Sequence, residues 1–305
     1  MRYSGVLLNR IRKRTKNTDY TTASDGEATA GITDDLILEY LNDAQDYLQG
    51  RILSVFPDEF VASEDISITS ATSYTVSDRI FMDNRIISVK YSPNGQNRYY
   101  KPLRPVSIAE QNHDTNSHPL NYVRKNGGID PSPVATNSSG KLRVFYYRSL
   151  GDVDIRRGTI SSGGEATSTS IVLADDSYLD NNALGDAEFF CINNVNGTVS
   201  DYNVTITSYD SGTRTITIPS TVIVGADGAY ITLGKYTTTH SKLPDEAERF
   251  IKLYAQKRVL LTDENSNSVA EDSEVQEAMN DIIQTFADVS QDIEQIPIYD
   301  WEVMS

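Results

Sequence analysis

Hydrophobic and polar residues along this chain change rhythm several times, and each change marks a predicted element. In "ITDDLILEYLNDAQDYLQGRILSVFP", residues 32–57, Ile37, Leu41, Ala44, Leu48, Ile52 and Val55 recur three or four apart. That spacing puts them on one face of a helix. Thr33 stands at the N-cap position, Asp34 and Asp35 suit the positive end of the helix dipole, and Pro57 marks the end. From about 64 to 150 the rhythm turns strand-like: "DISIT", "SYTV", "RIISVKY", "RYYKPL" and "KLRVFYYRSL" alternate or run apolar, with "SPNG" as a turn. Within this stretch residues 107–140, "SIAEQNHDTNSHPLNYVRKNGGIDPSPVATNSSG", read as a long polar surface loop with a short helix at its start.

A second β pattern occupies 158–238. After the Gly/Ser turn "GTISSGGEATS" come "TSIVLA", "AEFFCIN", "YNVTITSYD", "TRTITIP" and "AYITLG", with "SYDSGTRT" as a hairpin turn. So many short strands in so few residues predict a small closed barrel, because closure removes exposed edges. The chain then turns helical. Pro244 fits a first helical turn, Asp245, Glu246 and Glu248 complement the dipole, and Ala247, Phe250, Ile251 and Tyr254 form a buried face running on to Leu261. After "TDENSNS" a second helix has Val275, Met279, Ile282, Ile283, Phe286, Val289 and Ile293 as its stripe, which makes an antiparallel hairpin. The closing "QIPIYDWEVMS" is apolar and aromatic without a helical period, and Pro297 favours an extended form.

The fold class is therefore α+β: an N-terminal helix and a C-terminal helical hairpin with a β-sheet and an inserted small β-barrel. The expected organisation is a basic, partly flexible segment 1–32, a helix/sheet core of 33–157 and 239–290, the barrel module 158–238, and an extended tail 291–305. The first and last helices should pack together, and the module should be removable, since loop closure depends weakly on length.

Charge sharpens this picture. The formal net charge is −16, yet residues 1–16 hold six Lys and Arg and no acid, and residues 241–305 hold 15 acids against five bases. A net acidic body lacks the basic face that a phosphate clamp needs. The run "RIRKRTK" suits either an acidic or nucleic-acid partner or plain solvation of a mobile end. No stretch approaches the roughly 20 apolar residues that span a bilayer. The basic residues of "GVLLNRIRKRTK" follow the apolar patch, the reverse of a secretory signal, so the chain reads as soluble and assembled inside the cell. The single cysteine, Cys191, sits in an apolar strand and reads as a buried thiol.

Reactive chemistry is not visible. His113, His118 and His240 have no further ligands at metal-binding spacing. "GGEATS" and "GADGAY" lack the features of a phosphate or dinucleotide loop, and no nucleophile elbow occurs. The acids of "DDSYLDNN", 175–182, lack the order of a calcium loop and read as solvated turn residues. No catalytic, cofactor or metal residue is assigned. The tail differs: Ile298, Tyr299, Trp301 and Val303 include the only tryptophan of the chain, and exposed aromatic anchors at a terminus point to a docking partner.

The segments "TDDLILEYLNDAQDYLQGRI", "RIISVKY", "YYKPL" and "LPDEAERFIKLYAQKRVLL", in that order, resemble the head-to-tail adaptor (head-completion or connector) proteins of tailed bacteriophages, over about 33–150 and 241–296. The stretches "TSIVLADD" and "ITSYDSGTRTITI" resemble a small β module found in phage structural proteins. The resemblance implies a virion protein, assembled in the host cytoplasm, that forms a dodecameric ring beneath the portal, extends the DNA channel, helps retain the genome and offers a platform to tail or further neck proteins. It implies portal docking for the tail, passive contact with DNA, no cofactor and no membrane. The alternative is a receptor-binding or decorating protein whose module binds surface glycans through Tyr178, Tyr202, Tyr209 and Tyr230.

Overall fold

The computed structural model describes residues 4–15, 32–76, 79–81, 85–116, 118–161, 168–175, 188–196, 199–222, 228–262 and 268–294. The tail anchors Ile298, Tyr299, Trp301 and Val303 lie outside them, as do most of the 175–182 turn and Tyr178. The chain forms two compact units, residues 51–150 and residues 1–50 with 151–305. This division groups the helices with the 158–238 module and sets the 51–150 sheets apart. The sequence reading joins those sheets to the helices instead.

In the 51–150 unit the strands are β1 (Val61–Ser67), β2 (Tyr74–Thr75), β3 (Ile86–Ser92), β4 (Lys101–Pro102), β5 (Arg104–Pro105), β6 (Thr115–Asn116), β7 (Asn121–Lys125), β8 (Gly128–Ser132), β9 (Val134–Ala135) and β10 (Lys141–Tyr147). They pair in the orders β1-β10-β3-β4 and β2-β8-β7-β5, with β6 beside β9. Strict alternation along β10 turns Leu142, Val144 and Tyr146 into a core shared with Val89, Tyr122 and Ile129. Residues 101–106 stitch the two sheets together. The Leu103 amide donates to Val89 O at 2.8 Å, while those of Arg104 and Val106 donate to Leu120 O at 3.2 Å and Tyr122 O at 2.9 Å.

Residues 107–140 correct the sequence reading. They begin with the expected short helix, the 3₁₀ turn Ile108–Glu110 held by a capping box with Ser107, but they continue into β6–β9 instead of a loop. The hairpin signal was present in Asn126-Gly127, where Gly127 takes φ +70° between β7 and β8. Prolines 131 and 133 and the polar composition masked it. Pro131 is tolerated because β2 pairs only with Ile129 and Gly128 of β8, leaving that stretch of strand without a neighbour on β2's side.

The other unit begins with α1 (Ser4–Thr15) and residues 34–50 of α2 (Asp34–Val55), whose last residues fall in the 51–150 unit. The basic head is therefore partly ordered: Leu7, Leu8 and Ile11 are buried. Thr33 caps α2, its hydroxyl accepting from the Leu36 amide at 3.2 Å. Ile37, Leu41, Ala44, Leu48 and Ile52 are fully buried, whereas Val55 is exposed in the last turn. Strands β11 (Gly158–Ile160), β12 (Ser168–Asp175), β13 (Phe189–Asn193), β14 (Val199–Thr205), β15 (Ser208–Asp210), β16 (Thr215–Val222) and β17 (Tyr230–Leu233) pair in the order β14-β13-β17-β11-β12-β16-β15. The two ends of that order are one piece of chain. β14 pairs with β13 up to Thr205, and β15 pairs with β16 from Ser208, so one bent piece of chain supplies both end strands of a half-barrel sheet, where the sequence predicts a closed barrel. The expected hairpin turn is present, with the Asp210 carboxylate accepting from the Gly212 amide and the Thr213 hydroxyl at 2.9 Å each.

Helices α3 (Ala247–Thr262) and α4 (Ser268–Glu294) form the C-terminal hairpin. Val275, Met279 and Ile282 of the expected stripe are buried and Ile283 and Phe286 half-buried; the side chains of Val289 and Ile293 lie outside the described residues. The first and last helices meet as expected: Tyr47 of α2 stacks on Phe250 and Tyr254 of α3, with ring centroids 6.2 and 5.9 Å apart.

Gly128 tests the 51–150 architecture, because a Cβ there would lie 2.1 Å from Tyr74 O on β2. Gly128→Ala should cost about 2 kcal/mol or more. Gly127→Ala, strained only by its positive φ with open space around it, should cost about 1 kcal/mol. Urea unfolding followed by circular dichroism would rank the two; equal costs would mean that β2 does not pack on β8.

Candidate interaction surfaces

An adaptor-like chain works through surfaces, and the first requirement is what holds them in place. Where the helices meet the barrel, the two crossings run side by side: Val153 bridges Thr238 in parallel, and the Asp154 amide donates to Thr238 O at 2.9 Å. Asn42 of α2 treats this crossing as a strand. Its amide nitrogen donates to Val153 O at 3.1 Å, and its oxygen accepts from the Val153 amide at 2.7 Å. One turn on, Gln45 donates to Gly151 O at 2.7 Å and accepts a short hydrogen bond from the Ser241 hydroxyl.

Asp154 is the buried charge of the junction. Arg157 donates to it through Nε at 2.9 Å, and the Leu233 amide of β17 donates to its Oδ2 at 2.7 Å. Arg157 also reaches Asp35 on α2 at 2.6 Å. Burial pushes the Asp154 carboxyl up and Arg157 opposes it, while Asp154 and Asp35 raise the guanidinium above its ordinary value despite its own burial. The guanidinium therefore remains charged, with Asp154 and Asp35 as its two acceptors.

The basic head docks here as well. The Ser4 hydroxyl donates to Asp154 O at 2.5 Å and its amide to Thr239 O at 2.9 Å. Arg12 Nε donates to Asp34 at 2.6 Å, and Arg10 pairs with Glu248 of α3 at 3.2 Å. Two of the five cations of "RIRKRTK", Arg10 and Arg12, thus meet acids of their own chain, and Arg14 donates to Gln256.

The histidines do not converge. His113 is exposed; His118 Nδ1 lies 2.9 Å from the Tyr91 hydroxyl, and His240 Nδ1 lies 2.9 Å from Thr239 Oγ1. Burial, helped by the charge of Arg156, pushes His240 below its ordinary value. No group of three metal-ligating side chains occurs among the described residues. Cys191 is buried in β13, as expected. Two of the four tyrosines considered for glycans are unsuited: Tyr230 is buried, its hydroxyl 2.5 Å from Thr239 Oγ1, and Tyr209 packs half-buried on the barrel core. The side chains of Tyr178 and Tyr202 lie outside the described residues.

The 51–150 unit offers a different surface, which sequence reasoning overlooked. It carries twelve Lys and Arg against nine Asp and Glu, a net +3, while the rest of the chain carries fifteen against thirty-four, a net −19. Counting from the termini inward hid this basic island. Along one stretch cations sit on rings: Arg98 lies 4.8 Å from the Tyr99 centroid and Arg143 4.2 Å from that of Tyr100. Arg143 also grips Asp65 in a bidentate pair at 2.6 and 2.8 Å. Beside them lies a cleft of about 410 Å³ between β4 and the Pro119-Leu120 turn.

Over residues 1–180 the sequence matches the family model described as SU10 adaptor protein. The chain belongs to that family. A search of curated proteins found no match. Membership makes the chain a structural adaptor of a bacteriophage, a virion component that associates with other head or tail proteins. No described helix is long and apolar enough to cross a membrane.

Two expectations follow. Asn42→Ala would leave the buried Val153 amide and carbonyl without their partners and should destabilise the protein by about 2 kcal/mol in urea unfolding. Asn42→Asp keeps the acceptor alone and should cost less than Asn42→Ala unless burial of its charge dominates. The second concerns Asp65, whose hydrogen bond from Arg143 holds its carboxyl below the ordinary value. A depressed carboxylate stabilises the fold above its unfolded pKa of about 3.9, and that contribution fades as pH falls through the lower folded value. Asp65→Asn should therefore lower stability at pH 6 by under about 1 kcal/mol, because both side chains are partly solvated. The gap from wild type should close towards pH 2. A gap that stays constant would mean that the charge is not what matters.

Proposed function

We propose that this adaptor forms a closed, dodecameric ring beneath the portal, extends the DNA channel, helps retain the genome and joins head to tail. The observation that carries the reading is the split of charge between a net-positive and a strongly net-negative unit. Copies with unlike surfaces attract through unlike faces, and such heterologous contacts make rings when their rotation closes. An acidic excess also suits a channel wall, since a wall that held phosphates would impede passage of DNA. The absence of an assembled catalytic group among the described residues is compatible with this role, and the inward packing of Tyr230 and Tyr209 removes support from the glycan reading.

Attachment to the portal depends on the tail in this reading, with Ile298, Tyr299, Trp301 and Val303 as the anchors without which the ring does not assemble there. Buried aromatic anchors contribute about 2 kcal/mol or more each at an interface.

Native mass spectrometry with and without portal rings tests the assembly. The protein alone should be a monomer or weak oligomer and should close into a ring on the portal. Raising ionic strength from about 0.05 to 0.5 M should weaken ring formation, because screening shortens the reach of charge attraction. A two-fold dimer that survives dilution would sink the ring. Truncation after Gln295 should shift the melting temperature by less than about 2 °C, a change of under 1 kcal/mol, while abolishing attachment to portal-bearing heads. Truncated protein that still docks would remove the tail from this role.

A further inference from the structure

The cleft of the 51–150 unit has the chemistry of a peptide seat. Tyr91, Pro102, Leu103 and Pro119 wall it with flat apolar surfaces. At its lip Tyr99 is 40% and Leu120 66% exposed, an unusual outlay of apolar side chain to water. The volume falls in the range of roughly 300–1,000 Å³ typical of ligand sites. Its surroundings are positive: Lys101 lines it, and Arg98 and Arg104 are exposed on the flanking residues. The strand segment at its edge contains Pro102 and Pro105, which cannot donate to an added strand. Recognition must therefore come from side chains entering the cleft, and the occupant should combine a large ring with acidic neighbours.

This chain contains such a segment. In Tyr299-Asp300-Trp301-Glu302-Val303 the apolar and acidic residues alternate. In an extended chain that alternation puts Tyr299, Trp301 and Val303 on one side and both carboxylates on the other. The segment follows Pro297, and residues 295–298 separate it from Glu294 at the end of α4. It belongs to the net −19 part of the protein, and the cleft to the net +3 part.

We infer that the cleft is the seat of the C-terminal tail of a second copy of this chain, with Trp301 between Tyr99 and Leu120 and Asp300 and Glu302 meeting Lys101 and its basic neighbours. This rests on the ring reading and names the contact that closes it. A tail donated forward, and a cleft filled from behind, is a heterologous link. A tail folded into its own cleft would satisfy both surfaces and leave nothing to join the next copy.

Trp301 is the sole tryptophan, so its fluorescence reports on its own burial. In the full-length protein its emission should be that of a solvated indole when dilute. It should move to shorter wavelength as concentration rises, or as copies gather on portal rings. Leu120→Glu and Lys101→Glu alter exposed positions and should leave the circular dichroism spectrum unchanged. Each should move the midpoint of the shift to about tenfold higher concentration, and Leu120→Ala should move it less. A shift present at every dilution would place the tail in its own chain and overturn the proposal. So would a midpoint that ignores both glutamate variants. Native mass separates the two readings: rings with unmoved emission sink the seat and leave the ring standing. A two-fold dimer whose emission moves with concentration and responds to Leu120→Glu keeps the seat and sinks the ring.

Discussion

Burying one carboxylate, Asp154, organises the unit that contains the helices and the barrel. An ionised carboxylate out of water costs several kcal/mol unless donors surround it, so every donor it recruits becomes obligatory. Arg157 comes from the first crossing, the Leu233 amide from the last strand of the barrel, and Arg157 in turn needs Asp35 on α2. Backbone groups of the same residue are used too, by Ser4 of α1 and by the return crossing at Thr238. Losing any one contact leaves a buried charge or amide with nothing to replace it. The barrel is consequently fastened to the helices by polar groups that cannot be satisfied separately, which argues against treating residues 158–238 as a detachable insert.

Asn42 and Gln45 extend the same logic to the helix. A helix has no backbone groups to offer sideways, because its own ladder uses them. Side-chain amides, carrying both donor and acceptor, stand in for an adjacent strand. They fix α2 at one rotation about its axis, and this rotation is the one that turns Tyr47 towards Phe250 and Tyr254. Apolar stripes choose a helix face; these amides choose the register along it.

Periodic signals made the helices legible. α2 and its Thr33 cap, α3 and the described part of α4 follow from spacing and end chemistry alone, and the 204–218 hairpin from alternation around Asp210-Ser211-Gly212. Local signals failed where the fold relied on distant partners. β7 and β8 hold few apolar residues, since β8 draws its burial from β2 and β7 on either side, and prolines obscured the pattern. α1 was hidden because a run of cations dominates it, although Leu7, Leu8 and Ile11 already have helical spacing; the acids that accept those cations lie in α2 and α3. The junction was illegible for a similar reason. Asp154 and Arg157 are three residues apart on a short crossing, and nothing nearby announces that the pair is buried. The basic island was countable from the sequence, but only once the unit boundaries were known.

A protein that joins others only at the right moment must keep its remaining surfaces from joining anything. Strand edges are the main hazard, because unpaired backbone groups accept any extended chain. The half-barrel shortens its edges by running β14 into β15, so the first and last positions of the sheet share one bent piece of chain. In the 51–150 unit the edges are dulled in another way. β4 and β5 are two residues long and each ends in proline, while the outer strand β1 carries an acid on each face, Glu64 and Asp65. With backbone pairing suppressed at these edges, what stays adhesive is a cleft lined by tyrosine, leucine and proline with cations around it. Its selectivity lies in side chains, which can discriminate, and not in main-chain hydrogen bonds, which cannot.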